Sequence, residues 1–441
     1  MCNNKPKKPK MTIDSTWLSA FKEDLPHAFT PHSPFRPSAV FVDGQIRLMQ
    51  GYQSEPLTWD DFIRRQFASR LERFFAQCDV VILAFDNYDK VPRAKCMTQA
   101  KRRRNVPVLP FSATSELPCM VPDGERWTQC IANRVFKTRV IDLVILRLPA
   151  LLLSGSPSRR LIVDFHEPVE YRFDPASNLV QCQPLLNGEM PALGEADLKF
   201  TRFADMFGKL LVDSIDGDSI PIALIHHERC LRRMVIPPQI SVYRMELNQA
   251  KRTAEGRKPR TYEHVNIHAL YQGLSDAIAQ SSGRIRYPSH EGHQMAMLVA
   301  LIALTGTDFS RNLPQMSGRS VYGWLPDLWP TLVMAYQPAD GTGCLEPSRA
   351  TDQLVALLYR LKFPKHASSG GSSLRAVLDD LQGSKVAQRT KDSLPTYERI
   401  VCTVRNANWV LAYWTCEPAP DPVQPAYGFR QLANGATEYD D

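Results

Sequence analysis

The ten cysteines of this 441-residue chain include no Cys-x-x-Cys pair and no zinc-finger spacing. That excludes a zinc ribbon or a dithiol redox motif, and in so long a chain the scattered thiols read as reduced core residues of a cytoplasmic or nuclear protein. Long hydrophobic runs are missing too. The longest apolar stretch, residues 140–153, is interrupted by Asp142, Arg147 and Pro149 and is too short to span a membrane, so no membrane association is expected. The first residues are polar and basic, so no secretory signal is expected. There is no P-loop, no Gly-x-Ser-x-Gly elbow, no dinucleotide-binding glycine fingerprint and no internal repeat. These absences remove P-loop nucleotide hydrolysis, serine-hydrolase chemistry, nicotinamide redox chemistry and a solenoid.

What is present is an ordinary globular composition, 44% hydrophobic and 22% charged, with a net charge of +7. The positive excess is a mild bias toward anionic partners. It is concentrated in KPKKPK at 5–10 and in the block VPRAKCMTQAKRRR at 91–104. Residues 1–37, basic and proline-containing, read as a flexible arm. Residues 38–330 carry alternating strand and helix signals. SAVFVD at 38–43 and DVVILAF at 79–85 read as buried strands, and residues 58–78 as an amphipathic helix begun by Thr58 and Asp61. Residues 194–211 read as helical and 212–218 as a strand running into a turn. The runs at 139–153, 160–165 and 295–305 are strands or buried helices that pattern alone does not separate. The expected fold is α/β, a central mostly parallel sheet flanked by helices, with residues 331–441 as an additional C-terminal region of uncertain fold. In such sheets ligands collect beyond the carboxyl ends of the strands.

Seven acidic residues end apolar runs or open helix-like segments: Asp43, Asp86, Glu195, Asp197, Asp216, Asp218 and Asp308. Clustered carboxylates repel unless cations neutralise them. Hard divalent ions such as Mg²⁺ or Mn²⁺ take oxygen ligands, and a pair of them can activate water and stabilise the leaving oxygen of a phosphodiester. Any one of these acids alone reads as a helix cap or turn residue; the ordered set carries the weight. Within the basic block, Lys95, Gln99, Arg102 and Arg103 fall at i, i+4, i+7 and i+8, one face of a helix. Cations that grip phosphate beside carboxylates that grip metal make a phosphodiesterase site.

The segments FVDGQ, AFDN, GEADLKF, SIDGDSI and LTGTDF occur in the order of the acidic motifs of the flap-endonuclease-like (PIN-like) superfamily, which the chain resembles over roughly residues 38–320. The nearest resemblance is to its 5′-to-3′ exoribonuclease branch. GEADLKF is similar to that branch's Gly-Glu-Gly-Glu-His-Lys, LTGTDFSRNLPQM to its Gly-Asn-Asp-Phe-Leu-Pro, and VPRAKCMTQAKRRR to its Pro-Arg-Ala-Lys segment. The resemblance implies a PIN/flap-endonuclease-like fold in which the seven acids bind two divalent ions. It further implies that Lys95, Gln99, Arg102 and Arg103 form a pocket for a 5′-monophosphate, and that phosphodiester bonds are hydrolysed from a 5′-phosphorylated end, with RNA favoured over DNA as partner. The rival readings are a structure-specific 5′ DNA nuclease and a catalytically weak nucleic-acid-binding scaffold with the same fold; protein partners are expected through the C-terminal region. The chain departs from the family in four places, one of them the family's Met-Gly start, which the basic arm replaces. Asp86 lies nine residues before Lys95, which makes Asp89 a rival ligand; Asp86 is preferred because it ends the apolar strand. Asp197 stands where the family has Glu. Only Gly318 matches the glycines of the DNA-gripping helix–hairpin–helix. His226-His227-Glu228 reads as an exposed turn, and the pairs His264/His268 and His290/His293 have metal-compatible spacing without a third soft ligand nearby.

Overall fold

The computed structural model describes residues 15–49, 57–87, 108–185, 193–214, 217–245, 262–281, 292–305, 313–338, 343–346, 348–366, 373–415, 429–431 and 437–439. One sheet of nine strands organises the chain: β1 Phe29–Thr30, β2 Ala39–Asp43, β3 Val80–Ala84, β4 Arg160–Asp164, β5 Pro168–Asp174, β6 Leu179–Pro184, β7 Lys209–Asp213, β8 Gln239–Met245 and β9 Tyr262–Asn266. Their spatial order is β1-β9-β8-β7-β2-β3-β4-β5-β6. The five central strands, β8 to β4, run parallel. Antiparallel pairs close both edges. The expected α/β sheet flanked by helices is present; its antiparallel borders were not legible in the pattern.

β2 and β3 are buried at every position, which is why AVFVD and VVILA are continuous apolar runs rather than alternating ones. Successive side chains still leave on opposite faces. Ala39, Phe41, Ile82 and Val212 join one core, with the helices Ala196–Phe207, Ser219–Arg232 and Gln294–Thr305. Val40, Val42, Val81, Leu83 and Leu211 join the other, with Phe62, Leu71 and the helix Arg134–Leu153. The chain fills β2, β3 and β4 outward in one direction, then returns to place β7 and β8 on the other side of β2. The crevice beyond the carboxyl ends of β2 and β7 is therefore the point where strand order reverses, the usual ligand position in open α/β sheets.

Local readings resolve as follows. The helix expected at 58–78 starts at Trp59, capped by Thr58, whose hydroxyl accepts the Asp61 N–H at 3.1 Å. It passes through a π-turn and ends at Phe75. The ambiguous runs become the helix Arg134–Leu153, strand β4 and the helix Gln294–Thr305. The helix expected at 194–211 stops at Phe207, because Gly208 takes the left-handed conformation (φ 70°) and β7 begins at Lys209.

Two boundaries are corrected. Residues 15–37 are not a flexible arm: Ser15–Asp24 is a helix that buries Trp17, Leu18 and Phe21, and β1 lies in the sheet. The Trp17 indole N–H donates to Thr305 Oγ1 at 2.8 Å. Sequence pattern missed this because one turn of apolar residues is diluted by a basic, proline-containing flank. The rest of the expected arm, 1–14, lies outside the described residues. The boundary at 330 falls inside the helix Leu325–Ala335, and the later helices Arg349–Lys362 and Tyr397–Trp414 bury Leu354, Leu358, Trp409 and Trp414 in the same core as Phe41. Among the described residues, no helix is long and apolar enough to cross a membrane.

Candidate functional site

β2 delivers Asp43 to the carboxyl edge of the sheet, on the face of Ala39 and Phe41, where it is 4% exposed. Its Oδ1 accepts the N–H groups of Gln45 (2.8 Å) and Ile46 (3.2 Å), fixing the start of the short helix Gly44–Met49. The glycine after it is required by packing: a Cβ on Gly44 would lie 2.5 Å from the Phe85 ring and 2.9 Å from the Ala84 carbonyl.

β3 runs parallel to β2 with Ala84 opposite Asp43, so Asp86, two residues on, emerges at the same edge. Asp86 Oδ1 accepts the N–H of Ala196 at 3.0 Å, and the Asn87 N–H donates to the Gly194 carbonyl at 2.6 Å. These bonds seat the third motif against the second. Glu195 is the N-cap residue of the helix Ala196–Phe207 and is buried, while Asp197 is half-buried in its first turn. One turn later Lys199 is fully buried; its Nζ donates to the carbonyls of Phe85 (2.7 Å), Phe165 (3.0 Å) and Asp164 (3.2 Å) and pairs with Asp164 Oδ1 at 3.0 Å. Burial pushes the Lys199 ammonium below the usual lysine range, against the pull of Asp164. Arg202 also pairs with Asp164. Lys199 lies within GEADLKF, where local pattern assigns it no role. The structure gives it one: it ties the ends of β3 and β4 to the helix that bears Glu195 and Asp197.

β7 ends at Asp213, whose carboxylate faces the other core. It pairs with Arg47 at 2.6 Å and Arg70 at 2.8 Å. Arg70 also lies over the rings of Phe74, Tyr243 and Tyr262. Asp213 is a further buried acid at the carboxyl edge, outside the seven that pattern marks. Its partners come from 166 and 143 residues away, a pairing no local spacing reveals. Asp218, 2% exposed, is the N-cap residue of the helix Ser219–Arg232.

Asp43, Asp86, Glu195 and Asp218 are thus each buried, at or just beyond the carboxyl ends of β2 and β3 or at a helix start, with Asp197 half-buried two residues after Glu195; no three of these carboxylates come within 4.8 Å of one another. Two of them, Glu195 and Asp218, stand at helix N-termini, an electrostatic setting that favours anions. Asp216 and Asp308 lie outside the described residues. So does the whole basic block with Lys95, Gln99, Arg102 and Arg103, and so does Asp89. The donor set is entirely hard oxygen, which fits Mg²⁺ or Mn²⁺. Asp164 and Asp213 are taken up by lysine and arginine, which removes them from that set.

The histidines behave differently from their spacing. His226, His227 and Glu228 are not an exposed turn; all three are buried in the helix Ser219–Arg232, which continues the apolar run at 220–225. Each is held by chemistry that pattern does not show. His226 Nε2 lies 2.9 Å from Asp205 Oδ1, and His227 packs on the Tyr271 ring. Glu228 accepts the N–H groups of Met295 (2.8 Å) and Ala296 (3.0 Å) at the start of the helix Gln294–Thr305, and burial raises its pKa to about 7. Among the described residues, the three His, Cys, Asp or Glu ligand atoms that come within 4.8 Å of one another belong to Asp205, His226 and Cys230, not to the carboxylate set.

No family model and no curated protein matches the chain. Among solved structures it is similar to the catalytic core of Rad2, solved in complex with DNA substrate: 11% identity over 88% of this chain and 86% of that one, with a TM-score of 0.36.

Proposed function

We propose that the chain is a flap-endonuclease-like, metal-dependent nuclease that hydrolyses phosphodiester bonds of RNA from a 5′-phosphorylated end. One observation supports the reading: Asp43, Asp86, Glu195 and Asp218, far apart in sequence, are all buried, Asp43 at the carboxyl end of β2, Asp86 just beyond β3 and bonded to the turn that bears Glu195, and Asp218 at the start of the helix after β7. Asp43, Asp86, Glu195, Asp197, Asp216, Asp218 and Asp308 would hold two Mg²⁺ or Mn²⁺ ions. Ions bound there supply Lewis-acid polarisation of the phosphate, acidified water and charge stabilisation at the leaving oxygen. The chain's own contribution is to hold the carboxylates in place before substrate arrives. Asp86 is fixed by Ala196, the β3 and β4 ends by Lys199, and Asp43 by its two backbone bonds. Lys95, Gln99, Arg102 and Arg103 would grip the terminal phosphate, the arginines through forked donors.

Gly318 bears on the DNA rival. It opens the helix Gly318–Gly323 and is itself buried against Trp17, where an added Cβ would collide with the indole. Packing against Trp17 accounts for this glycine without a DNA-gripping hairpin, so its presence does not argue for the DNA rival. The test is Mg²⁺-dependent digestion of matched 5′-phosphoryl RNA, 5′-hydroxyl RNA, single-stranded DNA and DNA flaps. Preference for 5′-phosphoryl RNA supports the reading. Cleavage confined to flaps replaces it with the DNA nuclease, and no cleavage of any replaces it with the scaffold.

A further inference from the structure

Asp205 lies near the end of the helix Ala196–Phe207. His226 and Cys230 sit one turn apart on the neighbouring helix Ser219–Arg232. Their ligand atoms converge: Asp205 Oδ1 to His226 Nε2 is 2.9 Å, Cys230 Sγ to His226 Nε2 is 3.9 Å, and Cys230 Sγ to Asp205 Oδ1 is 4.0 Å. His226 and Cys230 are buried, whereas Asp205 is exposed. All three line a cavity of about 490 Å³, which Arg229, Arg233 and Gln239 also border.

The geometry points to a tetrahedral zinc site made by Asp205, His226 and Cys230, with its fourth position open to water in the cavity. Bond lengths of about 2.0 Å to nitrogen and oxygen and about 2.3 Å to sulfur place tetrahedral ligand atoms roughly 3.3–3.6 Å apart. The observed edges straddle that range. Moving the exposed Asp205 carboxylate by a few tenths of an ångström away from His226 and toward Cys230, and the Cys230 sulfur by a similar distance toward His226, brings all three edges to it. The donor types agree as well: thiolate with imidazole selects zinc over Mg²⁺, which the all-oxygen carboxylate set would take. The i, i+4 spacing of His226 and Cys230 puts both ligands on one helical face.

The site lies at the opposite edge of the sheet from the carboxylates, beside Ser38, Lys209 and Gln239, which sit at the amino ends of β2, β7 and β8. The same two helices carry Glu195, Asp197 and Asp218 at their N-termini. At a rise of about 1.5 Å per residue, the zinc ligands are roughly 12–18 Å further along each helix. Zinc here would clamp together the far ends of the two helices that present carboxylates to the crevice. The inference stands on its own geometry and does not depend on the nuclease reading.

The test uses the full chain, purified without chelator. Expected are stoichiometric bound zinc by elemental analysis and, after replacement by Co²⁺, tetrahedral visible bands with a thiolate-to-cobalt charge-transfer band. Cys230→Ser should abolish the charge-transfer band, and the exposed Asp205→Asn should lower zinc retention while leaving the circular dichroism spectrum unchanged. Asp86→Asn, at the other edge, should keep its zinc. A folded wild-type chain that takes up no zinc after exposure to zinc salts and gives no thiolate–cobalt band overturns the proposal and leaves a metal-free hydrogen-bonded triad. Zinc retained undiminished by both Cys230→Ser and Asp205→Asn overturns it equally.

Discussion

The backbone N–H of Ala196 donates to Asp86 Oδ1 at 3.0 Å, joining the end of β3 to a helix that begins 110 residues later. Through this bond the second and third acidic motifs become one structure. Asp86 holds the turn that bears Glu195, and Lys199 from the same helix holds the carbonyl of Phe85, the residue before Asp86.

Lys199→Met tests that coupling. It leaves the Phe85 and Phe165 carbonyls without the ammonium donor and Asp164 with Arg202 as its described ion-pair partner. Breaking one arm of a buried ion pair should destabilise the fold by about 3–5 kcal/mol, read as a lower urea midpoint. The protein that remains folded should need more Mg²⁺ for half-maximal cleavage, because Glu195 and Asp197 are no longer held in register with Asp86. An unchanged midpoint together with an unchanged Mg²⁺ requirement would remove Lys199 from the account.

Asp213 and Asp86 should separate stability from chemistry. Asp213→Asn takes the shared carboxylate from Arg47 and Arg70 and should cost several kcal/mol of stability, about the range for a disrupted buried pair. Its folded fraction should still cleave. Asp86→Asn keeps an oxygen acceptor for the Ala196 N–H and should change stability far less, yet cleavage should collapse. Equal losses of stability and of activity in the two variants would contradict the division of these acids into ion-paired and metal-binding sets.

How much of this could be read beforehand follows from range. β2, β3 and the helix capped by Thr58 were legible because burial on both faces, or a 3.6-residue period, writes itself into consecutive residues. Asp43 ends β2, Asp86 follows β3 by two residues, and Glu195 and Asp218 stand at helix starts, positions that local pattern marks; their metal-binding role is our proposal. What stayed hidden is what distant segments decide. Arg47 and Arg70 neutralise Asp213, Lys199 serves β3 and β4 at once, and Trp17 reaches Thr305 across 288 positions. His226 and Glu228 looked like solvent-facing residues because their partners, Asp205 and the start of the helix Gln294–Thr305, lie on other helices.

Gly44→Ala should be costly although it adds one methyl. The new Cβ would press on the Phe85 ring and the Ala84 carbonyl, and the backbone carbonyl does not yield readily. Overpacking of this kind costs about 1–3 kcal/mol. Displacement of the Gly44–Met49 helix should also move Asp43, so a lower melting temperature should accompany weaker cleavage. A variant as stable as wild type would show that β2 and β3 are less tightly apposed here than described.

His264, in β9, predicts a pH dependence. Burial, reinforced by repulsion from His32, pushes its pKa down to about 4. In the unfolded chain it titrates near about 6.5. Between these values the unfolded state takes up a proton that the folded state refuses, so stability should fall as pH drops from about 6.5 toward 4 and should be insensitive to this group above 6.5. His264→Gln should flatten that part of the profile. If wild type and variant lose stability in parallel over this window, His264 is not the group responsible.

The most direct test of the central claim is single-turnover cleavage of 5′-phosphorylated RNA by wild type, Asp86→Asn and Asp218→Asn across a Mg²⁺ and Mn²⁺ titration, with folding monitored by circular dichroism. The account predicts cleavage that requires the divalent ion and falls by several orders of magnitude in both folded variants. Cleavage by the folded variants at near wild-type rates, or wild-type cleavage undiminished by chelation, would contradict it.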